Sequence, residues 1–188
     1  MNRQPGRLFY VMGPSGAGKD SFLQLVRTRL PAELLVAHRY ITRAAFAGGE
    51  NHVELSLPEF QRRRELGLFA LDWQANGHCY ALGCELDSWL ASGLEVMVNG
   101  SRACLPQARE RFGERLVPVL VTVDGETLGK RLRARGRENE AEIRLRLARA
   151  RAHDEGLPDS VWRLDNSGSL QQTLQQFEQY RRGERACD

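Results

Sequence analysis

Lysine is nearly absent from this chain. Lys19 and Lys130 are the only two lysines among 27 basic side chains, and all the rest are arginine. Anions are therefore met mainly by planar guanidinium forks, each able to hold two oxygens at once. Cysteine is scarce too. Cys79, Cys84, Cys104 and Cys187 have no metal-type spacing, which excludes a zinc framework and leaves reduced thiols as the expectation. His38, His52, His78 and His153 lack ligand spacing as well. No apolar stretch approaches membrane-spanning length, and no signal peptide is expected from the opening residues, so a cytoplasmic protein is expected. Net charge is also slight: +3 in a chain with 27% charged residues. That balance suits small anions as readily as nucleic acid and does not choose between them.

One feature outweighs these absences. Residues 13–20 read Gly-Pro-Ser-Gly-Ala-Gly-Lys-Asp, directly after the apolar run Leu8-Phe9-Tyr10-Val11-Met12. Gly13, Gly16 and Gly18 free the backbone N–H groups to converge on an anion, and Lys19 adds a charge for the β- and γ-phosphates. Pro14, Ser15 and Ala17 complete the loop. An amphipathic helix follows, carrying Phe22, Leu23, Leu25, Val26 and Leu30. Strand, glycine loop and helix together are the context a nucleotide-binding P-loop requires. The usual Ser or Thr after the lysine sits on Mg²⁺; here that residue is Asp20. Either its carboxylate holds the metal, as hard cations prefer, or it only favours the helix N-terminus and Ser21 or water serves the ion.

At 188 residues and 41% hydrophobic, the chain fits a single domain with its own core. A second strand is expected over 36–41, then an unusual stretch at 42–82 rich in Gly, Asn, His and aromatics. That stretch holds a short helix over 58–66 opened by Ser56, and strands at 69–73 and 79–82. A helix at 85–91 and a strand at 94–98 follow. Further alternation gives helices at 104–112, 126–135, 139–153 and 170–180, with strands at 117–123 and 161–164. The tail 181–188 is expected to fray. This order points to α/β: a parallel sheet covered by helices on both faces, with a core at about 7–41 and 94–180, an insertion at about 42–92 and a lid at about 131–151. Ligands then belong at the carboxyl ends of the strands. The arginines of 131–151 do not line one face, are interrupted by Glu138, Glu140 and Glu142, and have no aromatic between them. This argues against nucleic-acid binding. Trp73 and Phe69 are read as core.

Taken together, the chain resembles the guanylate kinase branch of the nucleoside monophosphate kinases, a P-loop NTPase fold with a substrate-binding insertion and an arginine-bearing lid. The likeness lies in the loop, in Ile41-Thr42-Arg43, in Gly49-Glu50, in Phe60, Phe69, Gly77 and Tyr80, in Leu132-X-X-Arg135-Gly136, in Ile143-X-X-Arg146-Leu147, and in Asn166. Where that branch hydrogen-bonds guanine, however, this chain has Arg39, Leu71, Leu82 and Asn99. Unmade bonds at a buried polar edge cost about 1–3 kcal/mol each, so GMP is rejected as acceptor.

The remaining marks resemble a narrower family, the ribose 1,5-bisphosphate phosphokinases of phosphonate breakdown. They are similar in Gly16 to Ser21, His38 to Arg43, Gly48 to His52, Gly67 to Ala75, and Val98-Asn99-Gly100-Ser101-Arg102. Ala44 and Ala81 depart from that pattern, where Pro and Gly are commoner, as does the apolar Phe46. The resemblance implies an ATP- and Mg²⁺-dependent phosphotransferase that makes 5-phosphoribosyl diphosphate. It implies Arg43, Tyr80 and Arg102 on the acceptor's phosphates, Glu50 and Asn99 on its ribose, Asn166 near adenine, and Arg135 and Arg146 as lid arginines acting with Lys19. The expected partners are ATP and the sugar bisphosphate, with no nucleic acid or membrane; a homodimer is left open. The competing readings are a nucleoside monophosphate kinase with altered base choice and a non-catalytic guanylate-kinase-like interaction module.

Overall fold

A computed structural model describes residues 6–32, 34–47, 50–136, 139–154 and 157–183. Gly48, Gly49, Arg137, Glu138, Cys187 and the tail beyond 183 lie outside the described residues, as do the side chains of Arg151 and His153.

The main sheet is wholly parallel. It is built from β1 (Leu8–Met12), β2 (Leu35–Val36), β7 (Val96–Asn99), β8 (Leu116–Thr122) and β9 (Trp162–Asp165), in the order β2-β7-β1-β8-β9. β1 is central, and all five of its side chains are fully buried, as a strand covered on both faces requires. Alternation splits them between two cores. Leu8, Tyr10 and Met12 pack with Leu86 and Leu90 of α3 (Glu85–Ala91) and with Ala108 and Phe112 of α4 (Leu105–Phe112). Phe9 and Val11 pack with Phe22 and Val26 of α1 (Lys19–Arg29) and with Leu174 and Phe177 of α7 (Leu170–Arg181).

A second sheet stands apart, in the order β4-β3-β6-β5: β3 (Arg39–Ile41), β4 (His52–Glu54), β5 (Phe69–Ala75) and β6 (His78–Gly83). The strand expected over 36–41 is therefore two. Ala37 and His38 carry the chain off the edge of the main sheet, and Arg39–Ile41 pairs with β4 and β6 instead. The β5–β6 hairpin closes through Asn76 and Gly77, both with positive φ, the geometry a two-residue turn needs to match strand twist. Phe60 of α2 (Leu57–Glu65) packs beneath this sheet with Leu55 and Ala81, and the Ser56 side chain caps α2 by accepting from the Glu59 N–H.

Two helices complete the chain. α5 (Gly125–Arg135) is capped by Asp124, which accepts from Thr127 N–H at 2.7 Å. α6 (Glu140–Asp154) packs on it through Ile143 and Leu147 against Leu128 and Leu132. The chain does not fray at residue 181: α7 runs to Arg181, which pairs with Glu95, and Arg7 donates to the Arg181 carbonyl at 2.9 Å. No helix among the described residues is long and apolar enough to cross a membrane.

Candidate active site

The loop between β1 and α1 is shaped by its glycines. Gly16 and Gly18 have φ of 91° and 86°, where an L side chain is strained. A Cβ on Gly18 would also lie 2.4 Å from Asn166 Nδ2. Asn166 clasps the loop from behind: Nδ2 donates to the Ala17 carbonyl at 2.6 Å, while Oδ1 accepts from the Thr173 hydroxyl at 2.8 Å. Its side chain is thus already committed to protein partners. Lys19 Nζ folds over the loop and donates to the carbonyls of Gly13 (2.7 Å) and Pro14 (2.9 Å). Burial pulls its pKa down to about 8, with Asp20 opposing the shift. The ammonium is poorly solvated where it stands, a cost that a polyphosphate would offset.

A cavity of about 790 Å³ opens over this loop. Gly13, Ser15, Gly16, Gly18, Lys19, Asp20 and Ser21 form its floor, and Arg43, Glu50, Tyr80, Asn99, Arg102, Arg135 and Asn166 its walls. Pro14 and Ala17 belong to the loop but do not line the cavity; Ala17 is buried beneath it. Arg146, half-buried on α6, also lies outside the lining. Asn99, buried at the end of β7, donates to Asp20 Oδ1 at 2.9 Å. Desolvation and the nearby Glu50 carboxylate raise the Asp20 pKa above the usual carboxylate range, against Lys19, Arg39 and Arg43. Arg102 is presented by a turn anchored to Tyr10, whose hydroxyl donates to the Ser101 carbonyl and accepts from the Ser101 N–H, each at 2.9 Å.

On the wall facing the loop, the Glu50 carboxylate takes the Arg39 fork with both oxygens and stands 3.6 Å from Arg43. Arg43 Nε is buried without a hydrogen-bond partner. His52 pins the backbone here: its two ring nitrogens face the carbonyls of Glu50 (3.2 Å) and Arg43 (3.0 Å). The Tyr80 ring stacks on Trp73 with centroids 5.7 Å apart and planes 6° from parallel. Trp73 packs against the core, as read from sequence, but it also lines the cavity.

Two lining arginines were not singled out as site residues by the sequence. Arg39 stands at a guanine-site departure within the His38 to Arg43 block, and Arg131 lies in a dense arginine run. Arg131 donates to the Asn166 carbonyl at 2.8 Å and shares a face of α5 with Arg135. The signal that finds it is the neighbouring pair Leu128 and Leu132, which turns that helix toward the P-loop: a Cβ on Gly16 would touch both leucines at 3.0 Å.

No family model matches the chain. Among curated proteins it is 54% identical over 173 residues to "Ribose 1,5-bisphosphate phosphokinase PhnN" of Yersinia pestis, covering 92% of this chain and 90% of that one. It is 51% identical over 181 residues to the protein of the same name from Pectobacterium atrosepticum, covering 96% of each. The chain belongs to the ribose 1,5-bisphosphate phosphokinase family. Among solved structures it is similar to a guanylate kinase from Anaplasma phagocytophilum, with a TM-score of 0.70 and 16% identity over 97% of this chain and 88% of that one. The fold is thus guanylate-kinase-like, an α/β P-loop NTPase fold with a parallel sheet flanked by helices. Leu71 and Leu82 are buried in the core cluster and do not line the cavity. Of its departures from the family pattern, Ala81 is fully buried in the second sheet, while Phe46 is 92% exposed.

Proposed function

We propose that the chain transfers the γ-phosphoryl group of ATP to the 1-phosphate of ribose 1,5-bisphosphate, giving 5-phospho-α-D-ribose 1-diphosphate and ADP. The observation that carries this reading is one continuous cavity. A P-loop forms its floor, and Arg39, Arg43, Arg102, Arg131 and Arg135 line its walls.

The nucleophile is a phosphate oxygen with a second pKa of about 6, so it is charged at neutral pH and needs no base. Catalysis reduces to aligning two anions and offsetting their repulsion. In this reading Lys19 and the amides of Gly13–Gly18 hold the ATP phosphates, while Arg43, Tyr80 and Arg102 hold the acceptor's. Glu50 orders the arginines of the acceptor wall and stands near the ribose, Asn99 orients Asp20, and Asn166 keeps the loop in shape on the adenine side. Arg131 and Arg135 approach the transferring group from α5, with Arg146 joining when the lid closes.

Mg²⁺ fits this donor set. Asp20 is a hard oxygen donor beside Lys19 with one oxygen not taken by Asn99. Among the described residues no group of three His, Cys, Asp or Glu forms a protein cage. An ion here would draw on Asp20, or on Ser21 beside it, together with nucleotide oxygens, as Mg²⁺ sites commonly do. When bound, it would neutralise charge on the β- and γ-phosphates. The reading also places the protein in the cytoplasm, acting on small molecules rather than nucleic acid.

ADP release from ATP and Mg²⁺ with ribose 1,5-bisphosphate, GMP or gluconate as acceptor tests the reading. Turnover is expected with the bisphosphate. Turnover with GMP alone would favour a nucleoside monophosphate kinase, and absence of both turnover and ATP binding a non-catalytic module.

A further inference from the structure

We propose that His52 is a pH-sensitive staple behind the cavity wall: as an imidazolium it holds the backbones of Arg43 and Glu50 together, and loss of its proton frees one of them and weakens acceptor binding. The inference rests on the acceptor assigned above. His52 opens β4 and is only 8% exposed. Its Nε2 lies 3.0 Å from the Arg43 carbonyl and its Nδ1 3.2 Å from that of Glu50. Those carbonyls stand on either side of residues 44–49, so one ring spans both ends of that segment. On the near side Thr42 is tied separately, its N–H donating to the Cys79 carbonyl and its hydroxyl accepting from the Cys79 N–H. Arg43 and Glu50 both line the cavity, whereas His52 does not. Its influence on a ligand therefore passes through them, and it is a positioning residue.

A carbonyl oxygen only accepts, so each contact is a hydrogen bond only if the facing ring nitrogen carries hydrogen. Neutral imidazole has one N–H and one bare nitrogen, while the imidazolium donates at both ends. Without the second proton, a bare nitrogen faces an oxygen, and two acceptors in contact move apart. Burial leaves little water to repair the lost bond. The charged groups about the ring are Arg39, which pairs with it across β3 and β4, Arg43 and Glu50 at the two carbonyls, and Glu54 two residues along its own strand. They are two of each sign, so the added proton meets no net opposing charge. Release of either carbonyl lets the Arg43 guanidinium and the Glu50 carboxylate, now 3.6 Å apart, shift relative to each other.

Two measurements test this. Long-range proton–nitrogen correlation spectra of the substrate-free wild type, from about pH 5.5 to 9, should show both His52 ring nitrogens protonated at the acid end and one losing its proton as pH rises. Over the same range, KM for ribose 1,5-bisphosphate and for ATP is measured in the wild type and in His52→Gln, whose side chain donates from one nitrogen and does not titrate. The acceptor KM of the variant should exceed that of the wild type on the order of 10-fold at the acid end. That ratio should shrink as the ring deprotonates, while the ratio for ATP stays level. Taking ratios removes the ionisations of the acceptor phosphate and Lys19, which both proteins share, and KM does not depend on the fraction of protein that folds. A ratio constant with pH, or one that moves equally for ATP, makes His52 a structural residue and overturns the proposal; so does a ring with a single N–H throughout. With turnover of the bisphosphate present, those results remove the role of His52 alone. Without turnover by the wild type, the acceptor assignment falls and this inference with it.

Discussion

Lys19 concentrates the electrostatics of the site in one side chain. Lys19→Ala should lower kcat on the order of 10²–10³-fold, the usual loss for one preorganised charge-stabilising donor, with circular dichroism unchanged. Its pKa of about 8 also fixes a pH dependence. The charged form binds phosphate, so kcat/KM should fall as pH rises through about 8, with an acid limb near the acceptor phosphate's second pKa of about 6. For the fold the sign reverses. An unfolded lysine titrates near 10.5, so between about 8 and 10.5 the unfolded chain binds the extra proton and stability rises with pH. Lys19→Met should accordingly raise the Tm of the nucleotide-free protein at neutral pH while abolishing the Tm increase caused by ATP. Asp20→Ala should raise the Mg²⁺ concentration needed for half-maximal turnover; an unchanged Mg²⁺ titration would assign the ion to Ser21 or water. Arg43→Lys should raise KM for the acceptor, because a point charge replaces a fork.

At the level of elements, the site depends on backbones that approach very closely. A Cβ at Gly100 would fall 2.3 Å from the Tyr10 ring, and that ring holds the turn presenting Arg102. Gly100→Ala should therefore cost about 1–3 kcal/mol, lower the Tm by roughly 2–4 °C per kcal/mol, and raise the acceptor KM. This contact joins residues far apart in the chain, so no local pattern announces it. What was legible was local. The P-loop showed in its glycine spacing, α2 in Ser56, and the main-sheet strands in their apolar runs. The break between β2 and β3 was not legible, because Ala37-His38 carries neither Gly nor Pro and the apolar pattern runs on across it. β4 (His52–Glu54) was missed for a related reason: three residues are too short to show alternation.

Over the whole molecule, one parallel sheet provides the P-loop and a second, mixed sheet provides Arg39, Trp73, Ala75 and Tyr80 to the facing wall, with Arg131 and Arg135 of α5 also lining the cavity. The alternation of strands and helices made the first sheet readable from sequence. Arg43, Glu50 and Tyr80 form no periodic pattern in the sequence; what brings them together is the pairing of β3 with β4 and with β6. Arg39 and Arg131 escaped notice because an arginine's role depends on what faces it across the fold. The central claim is that two phosphate groups are joined end to end over Lys19. Phosphorus NMR of the product formed from ATP and ribose 1,5-bisphosphate tests it most directly. The account predicts a coupled diphosphate pair at C1 with the 5-phosphate monoester retained. A product phosphorylated on a ribose hydroxyl, or a bisphosphate left unchanged while ADP forms only with GMP, would contradict it.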